Sequence, residues 1–302
     1  MQTDTIAVME PTKAMKKRNT LSFGEKMKSY RRHPGSGLLA LLTVIAAVLT
    51  FAMLAFLIVY ILVKGIPYLS ADLFSPTYTS ENVSLVPSLI NTFIMTGVSL
   101  LIAAPLGIFA AIYLVEYAKK GSRFVKLIRI TAETLSGIPS IVYGLFGMLF
   151  FVVALKWGMS LLSGAFTMVI MVLPLIMRTA EEALKSVPDS YREASFGLGA
   201  GKLRTIFTIV LPSAVPGILA GVILAIGRVV GETAALIYTA GTVAAVPDSL
   251  MGSGRTLALH MYVLSSEGLH MNQASATAVV ILAFVLLING LSGMIAKRIA
   301  KG

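Results

Sequence analysis

The sequence predicts an all-α, polytopic membrane protein with six transmembrane helices. Three observations carry this. First, apolar residues make up 56% of the 302-residue chain and charged residues only 13%, against about 45–50% and about 25% in soluble chains. The mean hydropathy is +0.85. Second, six stretches are long and apolar enough to cross a bilayer, for which about 20 residues suffice. Third, the 25 basic residues cluster between alternate stretches. Soluble, secreted and disordered classes are thereby excluded.

The spans follow in order. The first runs from Gly37 to Val63 and the second from Ser88 to Val115. Thr134 to Leu155 is the third; Met159 to Met177, short and carrying Pro174, is the fourth. The fifth begins at Pro212 and its apolar run reaches Val246. Those 35 residues exceed one upright span at about 1.5 Å per residue. The helix is therefore expected to be tilted, broken or continued along a surface. Ala274 to Ile295 is the sixth. Pro105 and Pro139 are expected to kink their helices.

Charge placement orients the spans. The N-terminal tail holds eight Lys and Arg, the loop 116–133 five, the segment 178–206 five and the C-terminal tail three. The remaining loops hold Lys64, Lys156 and Arg255, one each, and Arg228 stands inside a span. Basic residues favour the cytoplasmic side, so both termini are expected there. The chain then divides into a basic cytoplasmic tail (1–36), a first helix (37–63), an outer loop (64–87), a membrane core (88–296) and a cytoplasmic end (297–302). The net charge of +11 flanks membrane segments, where it meets anionic lipid; no nucleic-acid partner is needed to explain it. The first span is too long for a cleavable leader, and Lys64-Gly-Ile-Pro67 offers no cleavage site. Phe23, Met27 and Tyr30 among basic residues suit a surface-lying helix or a solvated tail, and residues 1–20 read as disordered.

There are no cysteines, and His33, His260 and His270 lack metal-ligand spacing. No metal or cofactor is expected. His260 and His270 read as surface residues of the last outer loop, and Trp157 as an interfacial anchor. No GxxxxGK[ST] stands in the chain, so it cannot hydrolyse ATP alone. No nucleophile–base pair suggests an enzyme.

The segment Ser186 to Pro212 is the most specific. Ser186 and Asp189 resemble a capping box, with Pro188 tolerated in a first turn. Tyr191, Ala194 and Leu198 fall on one helix face, and Gly199 and Gly201 stop the helix. A short helix between two spans is suited to docking into a partner's groove. Its residues also match the pattern E-A-A-x3-G-x9-I-x-L-P: Glu193, Ala194, Gly199, Ile209, Leu211 and Pro212 stand in register, with Ser195 replacing the third small residue. This resembles the EAA loop of permeases of ATP-binding-cassette importers. Together with Gly137-Ile-Pro-Ser-Ile-Val-Tyr-Gly-Leu-Phe146, Arg178-Thr-Ala-Glu-Glu-Ala-Leu184 and Gly227-Arg-Val-Val-Gly-Glu-Thr-Ala-Ala235, it is similar to phosphate importer permeases of the PstA type over about residues 85–296.

The resemblance implies the type I importer permease fold and transport of phosphate. It implies a second permease of the PstC type, two ATPases of the PstB type and an extracytoplasmic phosphate-binding protein of the PstS type. It also assigns Glu193, Ala194, Gly199, Ile209, Leu211 and Pro212 to ATPase coupling. Permeases for molybdate, sulfate or phosphonate share the architecture. A secondary transporter using Glu232 as proton carrier would have no need of the docking segment.

Arg228 and Glu232 lie within the fifth apolar run, where a charge costs on the order of 2.5–3.5 kcal/mol or more. Their i, i+4 spacing predicts one helix face. Two readings follow: a structural ion pair, or an Arg228 that lines the path and binds the passing anion with Glu232 restraining it. A guanidinium matches phosphate oxygens bidentately. Ser140 and Tyr143 in the third span are further path candidates, although polar residues in spans more often bond a neighbouring helix.

Overall fold

Hydrophobic spacing in this chain is continuous rather than striped, so every long helix has to be covered by lipid or by another helix. The computed structural model describes residues 34–119 and 121–299. The possible surface helix and disordered stretch of the N-terminal tail lie outside them. The chain divides into two units, residues 1–60 and 61–302. The described part of the first is the apolar helix α1 (Pro34–Gly65), which continues into the second.

In the second unit, two short 3-10 turns lead to α2 (Val86–Ile112), extended by a π-helical turn, Tyr113–Tyr117. Then follow α3 (Arg123–Ser136), α4 (Ser140–Gly147, with a π extension to Ala154), α5 (Leu161–Lys185) and α6 (Asp189–Gly197). The one-turn α7 (Lys202–Thr205) runs through a π turn, Ile206–Val210, into α8 (Leu211–Gly231). The last three are α9 (Ala234–Thr239), α10 (Leu257–Glu267) and α11 (Met271–Ile299). Among the described residues five helices are long and apolar enough to cross a membrane, and the bent α3–α4 pair makes six where the pair is counted as one span.

The third span thus differs from the straight helix expected over Thr134–Leu155. Its halves meet at 101°. Pro139 cannot donate to a helical ladder, so the chain turns at Gly137-Ile138-Pro139. Tyr143 ties the elbow by donating from its hydroxyl to the Leu135 carbonyl, 2.7 Å away. Half of the expected 116–133 loop is the amphipathic α3, which buries Val125 and Ala132 and exposes Phe124, Leu127 and Ile130. Pro105 lies inside α2 without ending it.

The fourth span is also longer than Met159–Met177. It starts at Leu161, capped by the Ser160 hydroxyl, which accepts from the Ser163 amide at 3.2 Å, and continues through the Arg178–Leu184 segment to Lys185. Charged residues extend it because they appear only where the helix has left the apolar layer. This helix is the centre of the unit. Met168, Met171, Val172 and Ile176 are buried against Met95 and Ala103 of α2, Tyr143 of α4 and Leu236 of α9. α2 and α5 run parallel: Met95 reaches Gly164 and Ile176 meets Gly107, where an added methyl would lie 2.9 Å from the isoleucine. α8 runs antiparallel to α5, with Gly217 facing Ala183 and Gly221 facing Thr179. Small residues permit these close approaches where hydrophobic association is weak.

Of the three outcomes its length allowed, tilt, break or surface continuation, the fifth run is broken. α8 ends at Gly231, Glu232 takes extended geometry (φ −73°, ψ 132°), and the six-residue α9 follows. α9 abuts α4 so closely that a methyl on Gly144 would lie 2.7 Å from the Ala235 Cα. Residues 241–256 then fold back over the N-terminus of α5, whose Leu161 and Leu162 amides donate to the Gly252 and Leu250 carbonyls.

Candidate functional site

Two regions hold the residues singled out by the sequence. In the segment 186–212, α6 begins with Pro188 rather than with a capping box. Ser186 belongs to the end of α5, where its hydroxyl donates to the Ala183 carbonyl at 2.7 Å. Proline fixes φ and leaves no amide to satisfy at a helix start, so a side-chain cap is dispensable there. The end of α6 is a Schellman motif: the Gly199 amide donates to Phe196 and the Ala200 amide to Ser195. Gly199 has φ +83° and open space where a Cβ would stand. Glycine is therefore required by conformation and not by crowding.

Glu193 and Ala194 are exposed on α6. Ser195 is buried, its hydroxyl 2.8 Å from that of Thr205. Tyr191, Ala194 and Leu198 do share a face. With Gly199, Arg204 and Ile209 they border an open cleft of about 540 Å³. Leu198 is 90% exposed. Leu211 and Pro212 open α8 immediately after the π turn.

Sequence reasoning passed over Arg192, which anchors this segment. Its guanidinium donates to Glu116 Oε1 (2.8 and 3.1 Å), to the Val187 and Leu184 carbonyls (2.8 and 3.0 Å) and to Asp189 (3.2 Å). The side chains of Arg192 and Glu116 are only 13% and 8% exposed. α6 is thus clamped to the ends of both α2 and α5. Beside it, Glu181 accepts from Arg129 of α3 and Lys185 of α5 at 2.7 and 2.6 Å. The Glu181–Lys185 and Asp189–Arg192 spacings could have been read locally; Glu116 lies 76 residues from Arg192 and Glu181 lies 52 from Arg129.

The second region is the break between α8 and α9. Arg228 and Glu232 do not share a helix face, because the helix ends between them. No ion pair joins them among the described residues. Glu232 is buried and its Oε1 accepts from the Ala235 amide at 3.1 Å. A carboxylate at a helix N-terminus satisfies a free amide and complements the dipole, so Glu232 caps α9. Arg228 lies in the last turn of α8, half-buried, with no hydrogen bond or ion pair to any described residue. The Tyr143 hydroxyl is engaged with the Leu135 carbonyl. Ser140 is half-buried at the start of α4, beside the elbow. Trp157 stacks on Phe151 at 5.5 Å and meets Phe166 edge-on at 5.4 Å.

Comparison with known proteins places this geometry. A family profile described as the binding-protein-dependent transport system inner membrane component matches residues 103–301. A probable ABC transporter permease of Bacillus subtilis, YqgI, is 34% identical over 278 residues, covering 84% of this chain and 94% of its own. The phosphate transport system permease PstA 1 of Mycobacterium tuberculosis H37Rv is 35% identical over 217 residues, 70% of each chain. PstA of Haemophilus influenzae is 34% identical over 72% of this chain and 77% of its own. Among solved structures, a permease chain of a bacterial alginate ABC transporter aligns with a TM-score of 0.66 at 16% identity, over 90% of this chain and 98% of that one. One from the inward-facing MetNI methionine transporter gives 0.56 at 19%, over 71% and 94%. These two share the fold.

Proposed function

We propose, from the premise that this chain belongs to the family of inner membrane components of binding-protein-dependent transport systems, that it is the permease subunit of an ATP-driven inorganic phosphate importer. The observation that carries the cargo is Arg228: an arginine half-buried in an apolar span, bonded to no described residue of its own chain, beside homologues named as phosphate permeases. An isolated guanidinium in a span is costly unless a ligand or partner meets it, and its fork fits a phosphate oxyanion. Translocation needs binding strong enough to admit the ion and weak enough to release it. One partly solvated arginine, with Glu232 turned away to α9, meets that requirement.

In this reading the chain forms half of the pathway with a second permease. Glu193, Ala194, Gly199, Ile209, Leu211 and Pro212 frame the surface that receives an ATPase. The Arg192 clamp passes the movement of α6 to α2 and α5. ATP hydrolysis resides in the partner, and an extracytoplasmic binding protein delivers phosphate. Both termini and α6 face the cytoplasm; a cysteine at Ser75 should react with an impermeant thiol reagent in intact cells and one at Ser190 should not. Reversal of that pattern would overturn the orientation.

The deciding experiment is phosphate uptake by the reconstituted complex with molybdate, sulfate and phosphonate as competitors. Phosphate uptake that none of the three displaces supports the reading. Preferential uptake of another oxyanion would assign the chain to a sister importer, in keeping with the less specific name of its Bacillus relative.

A further inference from the structure

At the end of the bundle opposite α6, a charged group is buried where sequence reasoning expected a surface. Arg255 is 4% exposed and His260 is fully buried. Residues 78–84 and the N-termini of α2 and α10 enclose them. Arg255 follows the loop that returns over α5, held by its own amide to the Val243 carbonyl at 2.9 Å. The Asn91 amide group donates to the Arg255 carbonyl at 3.2 Å and to that of Ala245 at 2.9 Å. The Leu257 amide at the start of α10 donates to the Thr92 hydroxyl at 2.8 Å. The Arg255 guanidinium lies 4.8 Å above the Tyr78 ring, and His260 meets the same ring edge-on at 6.1 Å.

The backbone around them is over-determined. Asn82 Oδ1 accepts from the Thr79 and Ser84 amides, and its Nδ2 donates to the Thr77 carbonyl. This network holds Val83, a β-branched residue, at φ +47° against α10. Such a conformation is costly for a branched side chain and persists where surrounding contacts enforce it, commonly at ligand clamps.

The polar accounting does not close. Arg255 Nε and Nη2, both ring nitrogens of His260, and the hydroxyls of Ser88 and Thr256 are buried without a hydrogen-bond partner, as is Asn91 Oδ1. Donors outnumber acceptors in this set. Among the described residues no acidic side chain pairs with the guanidinium: their four ion pairs all lie elsewhere. Burial and then the nearby Arg255 push His260 down to about 3, with the Val83 backbone acting weakly the other way. The imidazole is therefore neutral near pH 7 and offers one N–H. The Tyr78 face offsets part of the charge. Water could fill hydrogen bonds but would bring no countercharge, and a buried ion without one is disfavoured.

We propose that Arg255 and His260 hold a small inorganic anion in this buried cell, with the Ser88 and Thr256 hydroxyls as further donors. The site is separate from Arg228 and does not depend on the assignment of the cargo. Chloride and inorganic phosphate share the needed chemistry of a compact, multiply accepting anion; gluconate, a bulky organic anion, serves as the control.

The test is thermal unfolding of the purified transporter complex in sodium gluconate, chloride or phosphate at equal ionic strength and pH. A saturable rise of about 2–4 °C in chloride or phosphate over gluconate is expected. It should persist in Arg228→Gln and disappear in Arg255→Gln. A response to chloride alone identifies a halide site off the transport path; a response to phosphate alone identifies an oxyanion station on the outer approach. Should Arg255→Gln fail to assemble, a bromide-soaked crystal of the wild-type complex supplies the second measurement, with anomalous density expected at hydrogen-bond distance from Arg255. Equal stability in all three salts, or a response unchanged in Arg255→Gln, overturns the proposal, as does a chloride response with no bromide density in the cell.

Discussion

Arg192 and Arg228 stand in the same bundle and are treated in opposite ways. Arg192 is buried and saturated: two carboxylates and two backbone carbonyls fix it, and through it α6 is joined to α2 and α5. Arg228 is half-buried with no partner among the described residues, and the acid four residues on serves a different helix. Arg255 shares the second condition at the far end of the bundle. In the proposed reading, the difference separates charges that transmit force from charges that await a ligand. A saturated arginine resists movement, because each shift breaks several charge-assisted bonds. An unsaturated one costs free energy in the empty state and recovers it when an anion or a partner arrives.

The largest expected effect comes from breaking the saturated side. Arg192→Ala leaves Glu116 buried and unpaired, a loss of about 3–5 kcal/mol by analogy with other buried pairs. Thermal unfolding should fall sharply and the ATPase should no longer co-purify. An unchanged unfolding temperature with normal co-purification would remove the clamp from the coupling route.

Next is Arg228→Gln. Without the guanidinium to meet the anion, uptake per assembled complex should drop at least about tenfold, the ratio given by ~1.4 kcal/mol. Adding Glu232→Gln should not restore it, since the two residues are not paired. Recovery of uptake in the double variant would reinstate an ion pair formed elsewhere in the transport cycle. Arg228→Lys should also transport poorly, because it keeps the charge but loses the fork.

A third, smaller effect concerns His260, which faces Arg255, Tyr78 and the Val83 backbone. Its folded value is below its unfolded one, so the unfolded chain binds the extra proton. Stability from this group is complete above about pH 6.5 and declines as pH falls towards 3. Between pH 6.5 and pH 5 the loss should be about 1.5 kcal/mol in gluconate. Titration of unfolding in His260→Gln should lack this slope; an identical slope in both proteins would contradict the burial.

The smallest concerns the end of α6. Gly199→Ala places a side chain at φ +83°, a strain of about 1–2 kcal/mol. Transport per ATP hydrolysed should fall while insertion is normal, and Gly199→Asn should be milder, since Asn tolerates this region better. Equal coupling ratios in wild type and Gly199→Ala would show that the αL turn is not needed for transmission.

Much of this was legible before any coordinates. Runs of apolar residues and clustered Lys and Arg determined the all-α class and the span count, because lipid forces backbone groups to bond within a helix. The length of the run after Pro212 called for a tilt, a break or a surface continuation, and Gly199 and Gly201 announced where α6 stops. Periodicity put Tyr191, Ala194 and Leu198 on one face.

Tertiary structure decided the rest, for reasons that sequence spacing does not carry. The i, i+4 rule holds only while the helix continues, and α8 ends at Gly231, after which α9 packs against Gly144 of α4. The 101° elbow at Gly137-Ile138-Pro139 is tied by a Tyr143–Leu135 bond across eight residues. His260 is buried because residues 78–84 fold over it, although polarity and loop position suggest exposure. Arg192, Glu116, Arg129 and Glu181 are ordinary surface charges in sequence; their pairing joins positions 52 and 76 residues apart. Apolar periodicity is a local property of the chain. Which charge is paired and which is left open is set by contacts between distant helices.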